Sequence, residues 1–171
     1  ARIGSIRMDR NVGLPAKLIG LAYPKARGEY LAFVFDDCRW LPDHLATLVP
    51  MLQSGSGYGM VYGQADLIWS DGRRQTLGEP FNAAAMAAGG NHIPNVSVLV
   101  RRQAIETVGL YDPHFLMCRS CDWDLWLRIS KKFPLGFVPK VVAEERGTSL
   151  PDSIGHSLTH FSDLMLKYAA R

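Results

Sequence analysis

Two adjacent carboxylates, Asp36 and Asp37, are the side chains in this sequence best placed for chemistry. They follow directly on a continuous apolar run, Tyr30-Leu31-Ala32-Phe33-Val34-Phe35, which suits a strand buried on both faces. In open α/β sheets, ligands sit in the crevice beyond the carboxyl ends of the strands, where this pair falls. Hard oxygen donors at such a point suit Mg²⁺ or Mn²⁺, and either ion would screen the charge of a bound diphosphate. The same two residues would equally serve a turn or a cap on the following helix.

A second constellation is Cys121-Asp122-Trp123-Asp124-Leu125-Trp126-Leu127-Arg128. At helical spacing Asp122, Trp126, Ile129 and Phe133 share a face, and Asp124 points elsewhere. Asp122 thus heads an otherwise apolar stripe, a setting that suits a carboxylate to general-base work. A simple pairing with the helix dipole is the alternative. Cys118-Arg119-Ser120-Cys121 forms a C-x-x-C, a spacing used in thiol redox and zinc chemistry. Zinc would need further ligands, such as Cys38 and one of His44, His92 or His114, and no second C-x-x-C or H-x-H spacing supports it. The five His residues are scattered. Gly55, Gly57 and Gly59 match no phosphate-binding loop pattern.

These residues need a scaffold, and the patterning predicts one. Arg2–Met8 alternates like a short strand, Asn11-Val12-Gly13 reads as a turn, and Leu14–Ala22 reads as a helix limited by Pro24. After Asp36-Asp37, Pro42-Asp43 opens a helix carrying Leu45, Leu48 and Leu52. Met60–Trp69 reads as a strand leading into a hairpin turn at Ser70-Asp71-Gly72. A short helix is expected over Phe81–Ala88, stopped by Gly89-Gly90. A strand over Asn95–Val100 and a helix over Arg101–Val108 ending at Gly109 follow. The chain then gives a helix over Asp122–Phe133 and a strand over Leu135–Ala143. A final amphipathic helix is expected within 151–171, with Ile154, Leu158, Phe161, Met165 and Tyr168 on one stripe. Alternating strands and helices predict an α/β fold with a mixed, mostly parallel sheet flanked by helices.

Composition sets the outer bounds. The 171 residues fit one domain, and 47% hydrophobic with 20% charged residues excludes wholesale disorder. A formal charge of +3 argues for no nucleic-acid partner. No apolar run approaches the roughly 18 residues of a membrane span. Three Cys, in a core large enough to do without disulfides, favour a reducing, cytoplasmic setting. The start, Ala1-Arg2-Ile3-Gly4, carries neither an initiator Met nor a signal-peptide pattern and reads as the interior of a longer chain.

Taken in order, the motifs carry a resemblance. Asn11-Val12-Gly13-Leu14, Ala26-Arg27-Gly28-Glu29-Tyr30-Leu31-Ala32-Phe33-Val34, Asp36-Asp37 and Trp40-Leu41-Pro42-Asp43-His44-Leu45 are similar to the motifs of family 2 glycosyltransferases. Ser97-Val98-Leu99-Val100-Arg101-Arg102, Asp122-Trp123-Asp124-Leu125-Trp126-Leu127-Arg128, and Val138-Pro139-Lys140-Val141-Val142 with Arg146 continue it, from about residue 3 to about residue 150. The resemblance implies a GT-A fold, incomplete at the N-terminus because the chain starts after the nucleotide-holding strand–helix–strand segment. It implies a nucleotide-sugar donor, a glycan or lipid-linked acceptor and a divalent cation, Mn²⁺ or Mg²⁺. Residue by residue, Asp37 takes the metal role, Asp36 and Asp37 hold the donor, Asp122 is the base, and Trp123 and Cys121 meet the acceptor. Phe35, Cys38, Cys121 and Thr148 depart from the family's acids and histidine. A degenerate, non-catalytic domain that binds carbohydrate or a protein partner is the competing expectation, and pairing with a second copy is compatible with both.

Overall fold

The computed structural model describes residues 3–9, 15–88, 90–114, 117 and 120–147. The expected turn at Asn11-Val12-Gly13, the half-motif Cys118, Thr148 and the helix within 151–171 lie outside these. The elements run α1 (Pro15–Ala22), β1 (Tyr30–Ala32), β2 (Cys38–Trp40), α2 (His44–Gln53), β3 (Met60–Trp69), β4 (Arg74–Leu77), α3 (Ala83–Ala87), β5 (Val98–Arg101), α4 (Arg102–Val108), α5 (Cys121–Ser130) and β6 (Leu135–Gly147). Short 3₁₀ turns at Tyr23–Lys25 and Asn95–Ser97 join them.

The strands form one mixed sheet in the order β1-β5-β3-β6-β2, with β4 extending the β5 side of β3. The α/β class is as expected, but the predicted mostly parallel sheet is not what forms. Among the described strands β3 and β6 pair in parallel, and every other pairing is antiparallel. The reason is local: β4 returns from β3 by a hairpin, and β1 and β2 run against their neighbours at the two edges. The short strand expected at Arg2–Met8 does not form over its described residues 3–8, and residues 3–9 are exposed. The apolar run at residues 30–35 also differs from its reading. It forms a three-residue edge strand paired to β5 alone, and its residues are half-buried because one side has no neighbour. Strand β2 was not anticipated; it is three residues long and pairs with β6.

Side chains alternate across the sheet and build two main cores, with a third small cluster of Ala65, Val96 and Ala143 packed by Trp40. On one face Met60, Tyr62, Val98 and Val100 meet Leu125, Trp126 and Ile129 of α5, together with Ala104, Ile105 and Met86. On the other, Val61, Leu99 and Val142 receive Leu48 and Leu52 of α2. Leu45, read as part of that apolar stripe, faces outward. Where four residues of β3 (Tyr62 to Ala65) face seven of β6 (Phe137 to Ala143), β6 bulges, and the bulge accommodates Pro139. Gly63 sits at this point because a side chain there would meet the Lys140 carbonyl oxygen at 2.8 Å.

His44, the first residue of α2, is buried and lies flat on Trp40 with ring centroids 4.7 Å apart. Its Nδ1 is 3.1 Å from the Val142 carbonyl oxygen, so Nδ1 carries the proton and the buried Nε2 has no partner among the described residues. Burial pulls the His44 pKa down. The unfolded chain therefore binds a proton more readily, and the stability this site contributes is present above about pH 6.5 and lost as pH falls below it. Unfolding by urea at pH 7 and pH 5 should show this loss, and His44→Gln should remove part of the difference.

Candidate functional site

The Asp36-Asp37 turn lies between β1 and β2, with both side chains exposed. Its position is fixed from behind: the Arg146 backbone N–H donates to the Asp37 carbonyl at 2.9 Å, and Cys38 N–H to the Phe35 carbonyl at 3.1 Å. The Cys38 thiol donates to Asp37 Oδ1 at 3.1 Å. Among the described residues, no three His, Cys, Asp or Glu side chains gather as a metal cage. A Mg²⁺-type ion requires only one or two carboxylates when phosphate oxygens and water complete its shell. The exposed carboxylates of Asp36 and Asp37 fit that mode, and zinc chemistry through Cys38 and a histidine has no such cluster behind it.

Asp122 stands in the first turn of α5, half-buried. The Trp123 backbone N–H donates to its Oδ1 at 2.8 Å, and Asn91 Nδ2 donates to its Oδ2 at 3.2 Å. Trp123 is also half-buried and packs on the larger core, and its indole N–H is buried without a partner among the described residues. Cys121 belongs to the core and is 7% exposed, so little of its surface is open to an acceptor. Asp124 is spent elsewhere, on Arg128 one turn along at 2.8 Å.

Tyr111, in the stretch after α4, is buried. Its ring meets Phe33, just past β1, edge-on at 5.1 Å. Its hydroxyl donates to Asn95 Oδ1 at 2.9 Å. Burial first, and the charge of Asp122 second, push its pKa well up. Phe33 precedes Asp36 by three residues, at most about 11 Å of chain. In sequence, the Phe33–Tyr111 contact therefore lies just before the Asp36-Asp37 turn. Beside it, a largely apolar groove of about 460 Å³ opens between α1 (Ala16, Gly20, Leu21) and the stretch from Leu110 to Pro113.

The stretch carrying Tyr111 is braced by Arg128. Its guanidinium donates to the carbonyls of Val108 (2.6 Å), Gly109 (3.0 Å) and Leu110 (2.8 Å), which end α4 and lead into Tyr111. Arg128→Leu should lower unfolding stability by roughly 2 kcal/mol, the scale of losing charged hydrogen bonds that solvent partly replaces. Arg128→Lys should restore little, since an ammonium lacks the planar fork. Urea midpoints of the two variants check this.

The described thiols are quiet. Burial, then the neighbouring Asp37 carboxylate, pushes the Cys38 thiol far up, and burial with the Asp122 charge pushes Cys121 up to about 11. Because the thiolate is the nucleophile, native alkylation of Cys121 by iodoacetamide at pH 8 should run roughly 100-fold slower than that of a free thiol, a difference set by thiolate fraction. Mass spectrometry of timed samples measures it.

Sequence reasoning singles out Asp36, Asp37, Asp122 and Trp123 as candidates and gives no sign of the contacts made by Tyr111, Asn91 and Arg128. Asn91 follows a glycine pair that read as a plain helix stop, and nothing in its spacing points to a carboxylate thirty-one residues on. Among the described residues no helix is long and apolar enough to cross a membrane. No family model matches the chain, and no curated protein matches it.

Proposed function

We propose that this chain is a GT-A-like, family 2-type glycosyltransferase domain that moves a sugar from a nucleotide-sugar to an acceptor hydroxyl with inversion. The observation that supports the reading is Asp122 at the start of α5, its carboxylate held by the Trp123 N–H and the Asn91 amide, with Asp36-Asp37 exposed on the turn after β1, in a chain whose motifs follow the family's order. Asp122 accepts the proton of the acceptor hydroxyl as that oxygen attacks the anomeric carbon. The bond from that carbon to the diphosphate oxygen breaks on the opposite face, and its electron pair leaves with the nucleoside diphosphate. Asp37, with Asp36 beside it, would hold Mn²⁺ or Mg²⁺, which when bound supplies positive charge for the departing diphosphate. Asp36 also contacts the ribose or sugar, and Trp123 offers a ring face to the acceptor. The test is release of nucleoside diphosphate from a panel of nucleotide-sugars mixed with glycan and lipid-linked acceptors. Acceptor-dependent release supports the reading, and its absence across the panel counts against it.

One observation favours a second reading, a non-catalytic domain that binds carbohydrate or a partner protein. The Cys38 thiol occupies an oxygen of Asp37, and a buried thiol stands at Cys121 where the family carries an acid. Restoring acids by Phe35→Asp with Cys121→Glu discriminates the two. Gained donor turnover marks a weakened enzyme, and none supports a binding domain.

A further inference from the structure

Asp122 is held from outside its own helix. Asn91 lies in the stretch between α3 and β5; its Nδ2 donates to Asp122 Oδ2 at 3.2 Å, while its Oδ1 accepts the Ile93 backbone N–H at 3.2 Å. The amide is thus oriented by its own turn. Exchanging its O and N would forfeit the Ile93 bond and set an oxygen against the carboxylate. The turn in turn rests on the core. Ile93 is buried, Asn95 Oδ1 receives the Tyr111 hydroxyl, and the buried Ser97 hydroxyl is 2.8 Å from the Gly63 carbonyl and 2.9 Å from that of Pro94.

We propose that Asn91 is a positioning residue for Asp122: its amide fixes the carboxylate's orientation at the start of α5 and favours its ionised, proton-accepting form. This rests on the reading of Asp122 as the base. A donor hydrogen bond to the charged form stabilises that form, and a neutral amide does so without adding a cation that would weaken the base further. Among the described residues, ionisable groups near Asp122 include Cys121 and Asp124 on its own helix and Tyr111 from the stretch after α4, and His92 follows Asn91 in sequence. The thiol and the phenol are held neutral by burial, and the Asp124 charge is paired with Arg128.

The experiment is a ¹³C NMR pH titration of the Asp122 carboxyl in the full chain carrying Asn91→Asp or Asn91→Ala. Asn91→Asp keeps the oxygen that receives the Ile93 N–H, so the turn survives, and replaces the donor by a like charge. The Asp122 midpoint should rise by about one unit in Asn91→Asp and by about half a unit in Asn91→Ala, the scale of one lost hydrogen bond and one added charge. The acid limb of nucleotide-sugar turnover should move with it. A midpoint unchanged in both variants overturns the proposal. If the unsubstituted chain turns over no nucleotide-sugar, the transferase reading fails alone, and the carboxyl titration still decides the role of Asn91.

Discussion

Asp122→Asn should lower acceptor-dependent nucleoside diphosphate release by about 10²- to 10⁴-fold, the usual worth of a positioned general base. The amide is nearly isosteric and its Oδ1 still accepts the Trp123 N–H, so the substrate contacts change little and the loss should fall on kcat. Stability should fall by less. The dipole contribution of a first-turn carboxylate is about 0.3–1 kcal/mol, and the new amide nitrogen faces the Asn91 Nδ2 donor, forfeiting a hydrogen bond of about 1 kcal/mol; together these move Tm by roughly 3–8 °C. A large rate loss with a modest Tm change separates chemistry from folding. A rate unchanged by the substitution would remove Asp122 from the mechanism.

Trp126→Ala should act in the opposite way, on folding. Trp126 is 0% exposed and is the largest fully buried side chain among the described residues; its ring lies 6.1 Å from that of Tyr111. Truncation leaves a cavity between α5 and the sheet and should cost about 3–5 kcal/mol, a large part of the 5–15 kcal/mol that typically separates folded from unfolded states. Trp126→Phe should be far milder. It keeps a ring, and the indole N–H it removes has no partner among the described residues. Urea unfolding followed by circular dichroism gives both values.

Much of this arrangement was legible in the residues. The ten-residue strand β3 and the spacing of α5 and α4 stand out because their apolar residues repeat at the strand or helix period and then meet a glycine or a polar turn. Gly109 marks the end of α4 with φ of 83° and a backbone hydrogen bond to Ile105, as its residue type suggests. Sheet direction was not legible. Pairing direction depends on which edge a strand joins, and three-residue strands such as β1 and β2 leave too few side chains to encode it. The run at residues 30–35 misled because apolar content alone does not separate a central strand from an edge strand covered by helices and turns.

The site divides the same way. Asp36, Asp37 and Asp122 announce themselves by charge in apolar surroundings. Asn91 and Arg128 do not, because their importance comes from backbone carbonyls and a carboxylate far away in sequence. An arginine at the end of a helix reads as a dipole complement, and only folding turns it towards the carbonyls that end α4.

The most direct test of the transferase account is a thermal-shift titration of the chain with several nucleoside diphosphates, each with and without Mn²⁺. The account predicts a rise in Tm that requires both the nucleotide and the cation and that disappears in Asp37→Ala. No shift with any nucleotide, or a shift that survives Asp37→Ala unchanged, would contradict a donor site on the Asp36-Asp37 turn.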